Sequence, residues 1–105
     1  MQKSETHRYA IRLAFHGASF SGWQIQPEQK TVQGELTAAL NSLLKEDVKI
    51  IGAGRTDTGV HALNYVAHFD TQNVIDQEEI VFRLNRFLPT RISIFEIKKV
   101  TDDFH

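Results

Sequence analysis

Five consecutive residues, Arg55-Thr56-Asp57-Thr58-Gly59, set a guanidinium and a carboxylate two positions apart in a polar stretch, with a glycine free to take positive φ. A turn of this kind keeps both side chains near one rim. One account is structural: an Asx-type turn in which Asp57 accepts backbone N–H groups and Arg55 pairs locally. The other is chemical. A carboxylate held by amide hydrogen bonds and a nearby cation stays ionised, which suits a nucleophile or an electrostatic stabiliser of an oxocarbenium-like sugar centre. An arginine beside it can bind phosphate or fill the space left by an extruded base.

Other chemistries find less support. Gly52-Ala53-Gly54 follows a strand-like run, but the third glycine of a dinucleotide loop would fall at Asp57, and an extended segment follows where a helix is required. There is no Walker sequence and no G-x-S-x-G elbow. Cysteine is absent, which removes disulfides, thiolate metal sites and thiol nucleophiles together. His61 and His68 lie seven apart on one predicted strand, so they fall on opposite faces, and His7 and His16 stand alone. No metal or cofactor is expected. A glycoside hydrolase using Asp57 with Asp70 would need a deep sugar cleft that a chain of 105 residues cannot build.

The elements that must position this stretch follow from periodicity. Tyr9, Ile11, Leu13 and Phe15 alternate with Ala10, Arg12 and Ala14, the two-residue period of a strand. Residues 16–30 lose the pattern and read as a long loop carrying Phe20 and Trp23. Thr31 caps a helix over about 32–44, with Val32, Leu36, Ala39, Leu40 and Leu43 as its apolar stripe. A short β-branched strand over 48–53 enters the polar turn, and a third strand leaves it over about 62–69. Asp76 caps a second helix, with Glu79 in the position of a capping-box acid, an inner stripe of Ile80, Leu84, Phe87 and Leu88, and Pro89 as its stop. The final strand runs over 92–100. The order βαββαβ in one small domain predicts an α+β ferredoxin-like sandwich: a four-stranded antiparallel sheet with two helices on one face and the other face open.

Composition bounds the partners. At 41% hydrophobic and 24% charged residues, the chain suits one globular domain over residues 1–105, with no membrane span and no apolar run for a signal peptide. A cytoplasmic setting is the expectation. Formal charge is −1, so attraction to nucleic acid must be local, and Arg55, Arg83, Arg86 and Arg91 are the candidate patch or else ordinary solvated charges. Tyr65 and Phe69 are assigned to the core, and no RNP-type aromatic segment occurs.

Several segments carry a family resemblance. GAGRTDTGVHA over 52–62 resembles the AGRTDAGVHA loop of the tRNA pseudouridine synthase A (TruA) family, with Thr58 where Ala is usual. Phe20-Ser21-Gly22-Trp23-Gln24-Ile25-Gln26 resembles its GWQ-x-Q segment, and Thr31-Val32-Gln33 the SVQ that opens its first helix. Leu84-Asn85-Arg86-Phe87-Leu88-Pro89 is similar to LN-x-x-LP, and Asp102-Asp103-Phe104-His105 to the start of DDFHAR.

That resemblance implies isomerisation of uridine to pseudouridine on the 3′ side of the tRNA anticodon stem-loop, without cofactor or metal. It makes Asp57 the catalytic aspartate and Arg55 the residue of base extrusion, with Trp23 and Gln24 as RNA contacts or braces. Gly54, Thr56, Thr58, Gly59 and His61 then shape the loop. It further implies a homodimer in which each full-length chain adds a second, C-terminal domain that is absent here. The fragment alone is therefore expected to be inactive. The competing reading is a non-catalytic ferredoxin-like RNA-binding or regulatory module, in which Asp57 is only a turn residue.

Overall fold

The computed structural model describes residues 6–16, 31–52, 62–89 and 91–101. Six elements follow in order: β1 (His7–Phe15), α1 (Val32–Leu44), β2 (Ile50–Gly52), β3 (Ala62–Thr71), α2 (Gln77–Phe87) and β4 (Ile92–Val100). The strands form one antiparallel sheet in the order β2-β3-β1-β4, the topology of the ferredoxin-like sandwich. β2 begins two residues after the predicted start at 48, the predicted end at 53 lies outside the described residues, and β3 runs two residues past the predicted end at 69.

One face of the sheet is apolar because the period-two pattern directs it inward. Tyr9, Ile11, Leu13, Phe15, Ile50, Tyr65, Ala67 and Phe69 are buried in one cluster with Val32, Leu36 and Leu40 of α1 and Ile80 and Leu84 of α2. Tyr9 stacks on Phe69 at 5.8 Å between ring centroids, and its hydroxyl accepts the Ile75 N–H at 3.1 Å, so its polar end is satisfied inside the core. β4 would lose its alternation after Ile94 but for a register shift. Arg12 pairs with Glu96 and Leu13 with Ile94, which leaves Phe95 as the extra residue and returns Ile97 to the core face. The displaced Phe95 ring lies beneath the Arg12 guanidinium, 5.4 Å from it.

Both helices begin as their sequences dictate. Thr31 Oγ1 accepts the Gly34 N–H at 3.2 Å, and Asp76 Oδ1 accepts the Glu79 N–H at 3.1 Å. α1 ends at Lys45, which takes the left-handed conformation at φ 54°. α2 ends differently from expectation. Leu88 turns extended and fills the core at 7% exposure, so Phe87, assigned to the inner stripe, is displaced outward and stands 57% exposed.

The open face carries cross-strand ion pairs. Arg8 donates through Nε and Nη2 to the two carboxylate oxygens of Asp70, at 2.8 and 3.1 Å, and Arg12 Nε lies 3.6 Å from Glu96. Tyr65 and Phe69 face the helices, as expected, and so supply no stacking platform on this side.

Candidate active-site end of the sheet

The residues assigned to chemistry, Trp23, Gln24, Gly54, Arg55, Thr56, Asp57, Thr58, Gly59 and His61, all lie outside the described residues, as does the DDFH segment. The described residues give the anchors of those segments. Antiparallel pairing sets the last residues of β1 and β2 and the first residues of β3 and β4 toward one end of the sheet. Phe15 pairs with both Ala62 and Ile92 there. Segment 17–30 departs just after β1 and returns at Thr31, and segment 53–61 departs from Gly52 and returns at Ala62. Segment 17–30 therefore leaves from this end and segment 53–61 returns to it at Ala62, while Gly52, from which the latter departs, lies opposite Ala67 in the middle of β3.

Gly52 pairs with Ala67, so β3 projects five residues beyond β2 toward this end, about 17 Å at strand rise. A connection between these anchors must span that offset as well as one strand spacing, which a two-residue hairpin cannot do.

A set of carboxamides and backbone bonds holds the anchors. Gln33, in the first turn of α1, donates its amide to the Ile50 carbonyl and so fixes α1 to the start of β2. Asn85 accepts the Ile94 N–H at 2.8 Å through Oδ1 and donates to the Ile94 carbonyl at 3.0 Å through Nδ2. This side chain replaces a neighbouring strand at the free edge of β4 and ties the last turn of α2 to it. The His16 N–H donates to the Arg91 carbonyl at 2.9 Å, and Phe15 meets Tyr65 edge-on at 5.7 Å. Gln33 and Asn85 belong to the TVQ and LNRFLP segments, yet periodicity gave them no role. Their signal was a polar residue beside the buried Val32 and Leu84, where a carboxamide can reach backbone.

Electrostatics is clearest at the opposite end. Burial raises the Glu46 pKa, but hydrogen bonds from the Thr71 hydroxyl, the Gln72 N–H and the Asn73 amide outweigh it and hold the carboxyl below its ordinary value. The hydrogen-bonded Arg8 likewise holds Asp70 low. Asp70 thus has a structural partner near the far end of β3. Of the four arginines considered as a patch, Arg83 and Arg86 lie exposed on α2 and Arg91 in the turn before β4, while Arg55 falls outside the described residues.

The described residues form a βαββαβ domain of the α+β class, whose elements segments 17–30 and 53–61 connect. A family model described as tRNA pseudouridine synthase matches residues 11–105. The chain is 48% identical over 97 residues to tRNA pseudouridine synthase A of Aquifex aeolicus (strain VF5), covering 92% of this chain and 40% of that protein. It is 49% identical over 98 residues to the protein of that name in Bacteroides thetaiotaomicron, covering 93% and 36%, and 50% identical over 93 residues to that of Brevibacillus brevis, covering 89% and 38%. The chain belongs to the tRNA pseudouridine synthase family, in its TruA group. It spans about two-fifths of the length of these curated relatives.

Proposed function

We propose that this chain is the aspartate-bearing half of an enzyme that converts uridine to pseudouridine in the anticodon stem-loop of tRNA, with Asp57 as its catalytic carboxylate. The observation that carries the proposal is the family match across residues 11–105, with the GRTDTG sequence lying between β2 and β3. In the reaction the N1–C1′ bond breaks, the uracil turns, and C5 bonds to C1′. The proton displaced from C5 leaves and N1 gains one, so no atom is gained or lost overall. Whether the carboxylate attacks C1′, adds to the base or abstracts a proton at the 2′ position, it acts ionised and at close range. A stacked uridine is out of reach, so Arg55 occupies the stack while the base is held out, with Trp23 and Gln24 contacting RNA or bracing the loop.

The second wall of the cleft comes from a C-terminal domain, and the working enzyme is a cytoplasmic homodimer. One wall cannot orient a nucleotide, so the 105-residue chain alone is inactive. Full-length protein carrying Asp57→Asn is expected to leave anticodon arms without pseudouridine. Retained modification would favour the non-catalytic module. Release of tritium from 5-labelled tRNA uridines by the 105-residue chain, abolished by the same substitution, would overturn the claim of inactivity.

A further inference from the structure

β4 lies at an edge of the sheet and meets α2 through two carboxamides. Gln77, the first residue of the helix, accepts the Lys99 N–H through Oε1 at 3.2 Å, and Asn85, near the helix end, bonds both the N–H and the carbonyl of Ile94. Eight helical residues separate the two amides, a rise of about 12 Å. Ile94 and Lys99 are five residues apart, an odd number that in a regular strand would turn one set of backbone groups toward β1 and the other away. The extra residue at Phe95 removes the mismatch: without it in the count four strand rises remain, about 13 Å, and both residues turn their N–H groups outward. Bulge and carboxamides therefore work together. The Ile92 N–H is taken as well, by the Pro89 carbonyl at 3.0 Å, and alternation gives Ile97 as the remaining outward-facing residue between the two clamps.

We infer that Gln77 and Asn85 close β4 as an outermost strand: no strand of the full-length protein pairs along it, and removal of the two carboxamides opens it to pairing between copies of the chain. A strand adds to an edge by bonding outward N–H and C=O groups at every second residue. Here the donors of Ile92, Ile94 and Lys99 are engaged, so an incoming strand meets Ile97 alone between blocked positions. That run is too short for a ladder. The sequence shows why such a guard is needed. Ile92-Ser93-Ile94-Phe95-Glu96-Ile97 has high β propensity, one charge and no proline, the composition of a segment that assembles when its edge is open. A bulge, a covering helix and charged neighbours each protect an edge, and β4 has all three, with Arg12 over Phe95 and Lys98 and Lys99 beyond Ile97.

The role of Asp57 does not enter, so the two readings stand or fall separately. Native-state amide exchange of the full-length protein is expected to show the Ile97 N–H exchanging about a hundredfold faster than that of Lys98, which faces β1. Equal protection of Ile97 and Lys98 means that a strand lies along the edge and overturns the inference. The guard itself is tested in the 105-residue chain by combining Gln77→Ala with Asn85→Ala. The comparison is Leu40→Ala, a truncation of a fully buried core residue on α1, away from β4. Each variant is held at the temperature that leaves equal fractions folded, which separates an opened edge from lost stability. The double variant is expected to form thioflavin-positive assemblies at about tenfold lower concentration than Leu40→Ala. Assembly at the same or a higher concentration overturns the guard. If the double variant does not fold at any temperature, exchange at Ile97 decides.

Discussion

Replacing Asn85 by Ala deletes the side chain that bonds both free-edge backbone groups of Ile94. The two bonds, at 2.8 and 3.0 Å, are each worth about 1 kcal/mol net. The larger effect is on what remains. Ile94 is 3% exposed, and a buried N–H or C=O left without a partner costs about 1–3 kcal/mol, less where water reaches the strand edge. The expected loss is about 2–4 kcal/mol, a large share of the roughly 5–15 kcal/mol that stabilises a domain. At about 4–8 °C per kcal/mol for a chain of this size, the melting temperature falls by roughly 8–32 °C. Asn85→Asp is at least as damaging at neutral pH, since it keeps the acceptor for the N–H but sets a carboxylate oxygen against the Ile94 carbonyl. Urea unfolding gives the stability, and amide exchange at Ile94 reads the bond itself. A melting temperature within about 2 °C of the parent, with Ile94 still protected, would refute the assignment of Asn85 as the edge clamp.

The hydrogen bonds that depress Glu46 stabilise its ionised form in the folded chain, so their contribution is complete above the unfolded glutamate pKa and is lost as pH falls through the lower folded value. Glu46→Gln should flatten this acid limb of the stability curve, and an unchanged limb would remove Glu46 as its source. Lys45 holds the left-handed conformation at φ 54° with a Cβ that glycine lacks, so Lys45→Gly should raise stability by about 0.5–1 kcal/mol, and a fall in melting temperature would contradict this. Asp70→Asn removes a half-exposed ion pair worth about 0–1 kcal/mol and should leave pseudouridine formation by the full-length protein intact. Asp70 lies eight residues along β3 from Ala62, about 26 Å, so a tenfold loss of activity would revive the two-carboxylate reading.

Periodicity located both helices and all four strands because each buries one face, and burial is what alternation records. It failed where a local event reset the phase. Nothing in ISIFEIKKV announces that Phe95 will bulge out, because that depends on the register β4 adopts against Arg12 and Leu13. Phe87 was misplaced because helical spacing counts it inward, whereas the extended Leu88 reaches the same part of the core first. The start of β2 differs from expectation for a related reason. The β-branched Val48, Ile50 and Ile51 favour extension, but among the described residues pairing with β3 starts only at Ile50. For the site, the residue types and their order along the chain were legible. The meeting of Phe15 with Ala62 and Ile92 at one sheet end was not, since it exists only once β1 pairs with both β3 and β4.

The segments that resemble the TruA family divide by what the fold asks of them. In TVQ, Thr31 caps α1, Val32 is fully buried and Gln33 binds the Ile50 carbonyl. In LNRFLP, Leu84 and Leu88 fill the core, Asn85 clamps β4, and the Pro89 carbonyl accepts the Ile92 N–H at 3.0 Å. These residues are accounted for by folding: Asn85 and Pro89 act beside Ile94 and Ile92, near the end where Phe15 pairs with Ala62, whereas Gln33 bonds Ile50, which lies opposite Phe69 toward the other end. GRTDTG contrasts with them in composition. It contains no large apolar residue to bury, so hydrophobic packing gives no reason for its arginine and aspartate. The caps, carboxamides and core leucines thus fix the elements that segments 17–30 and 53–61 connect, and a segment joined to fixed anchors is held more closely than one joined to fraying ends. The same reasoning predicts that Gln33 and Asn85 variants which still fold will lose turnover through misplaced loops rather than through lost contact with RNA.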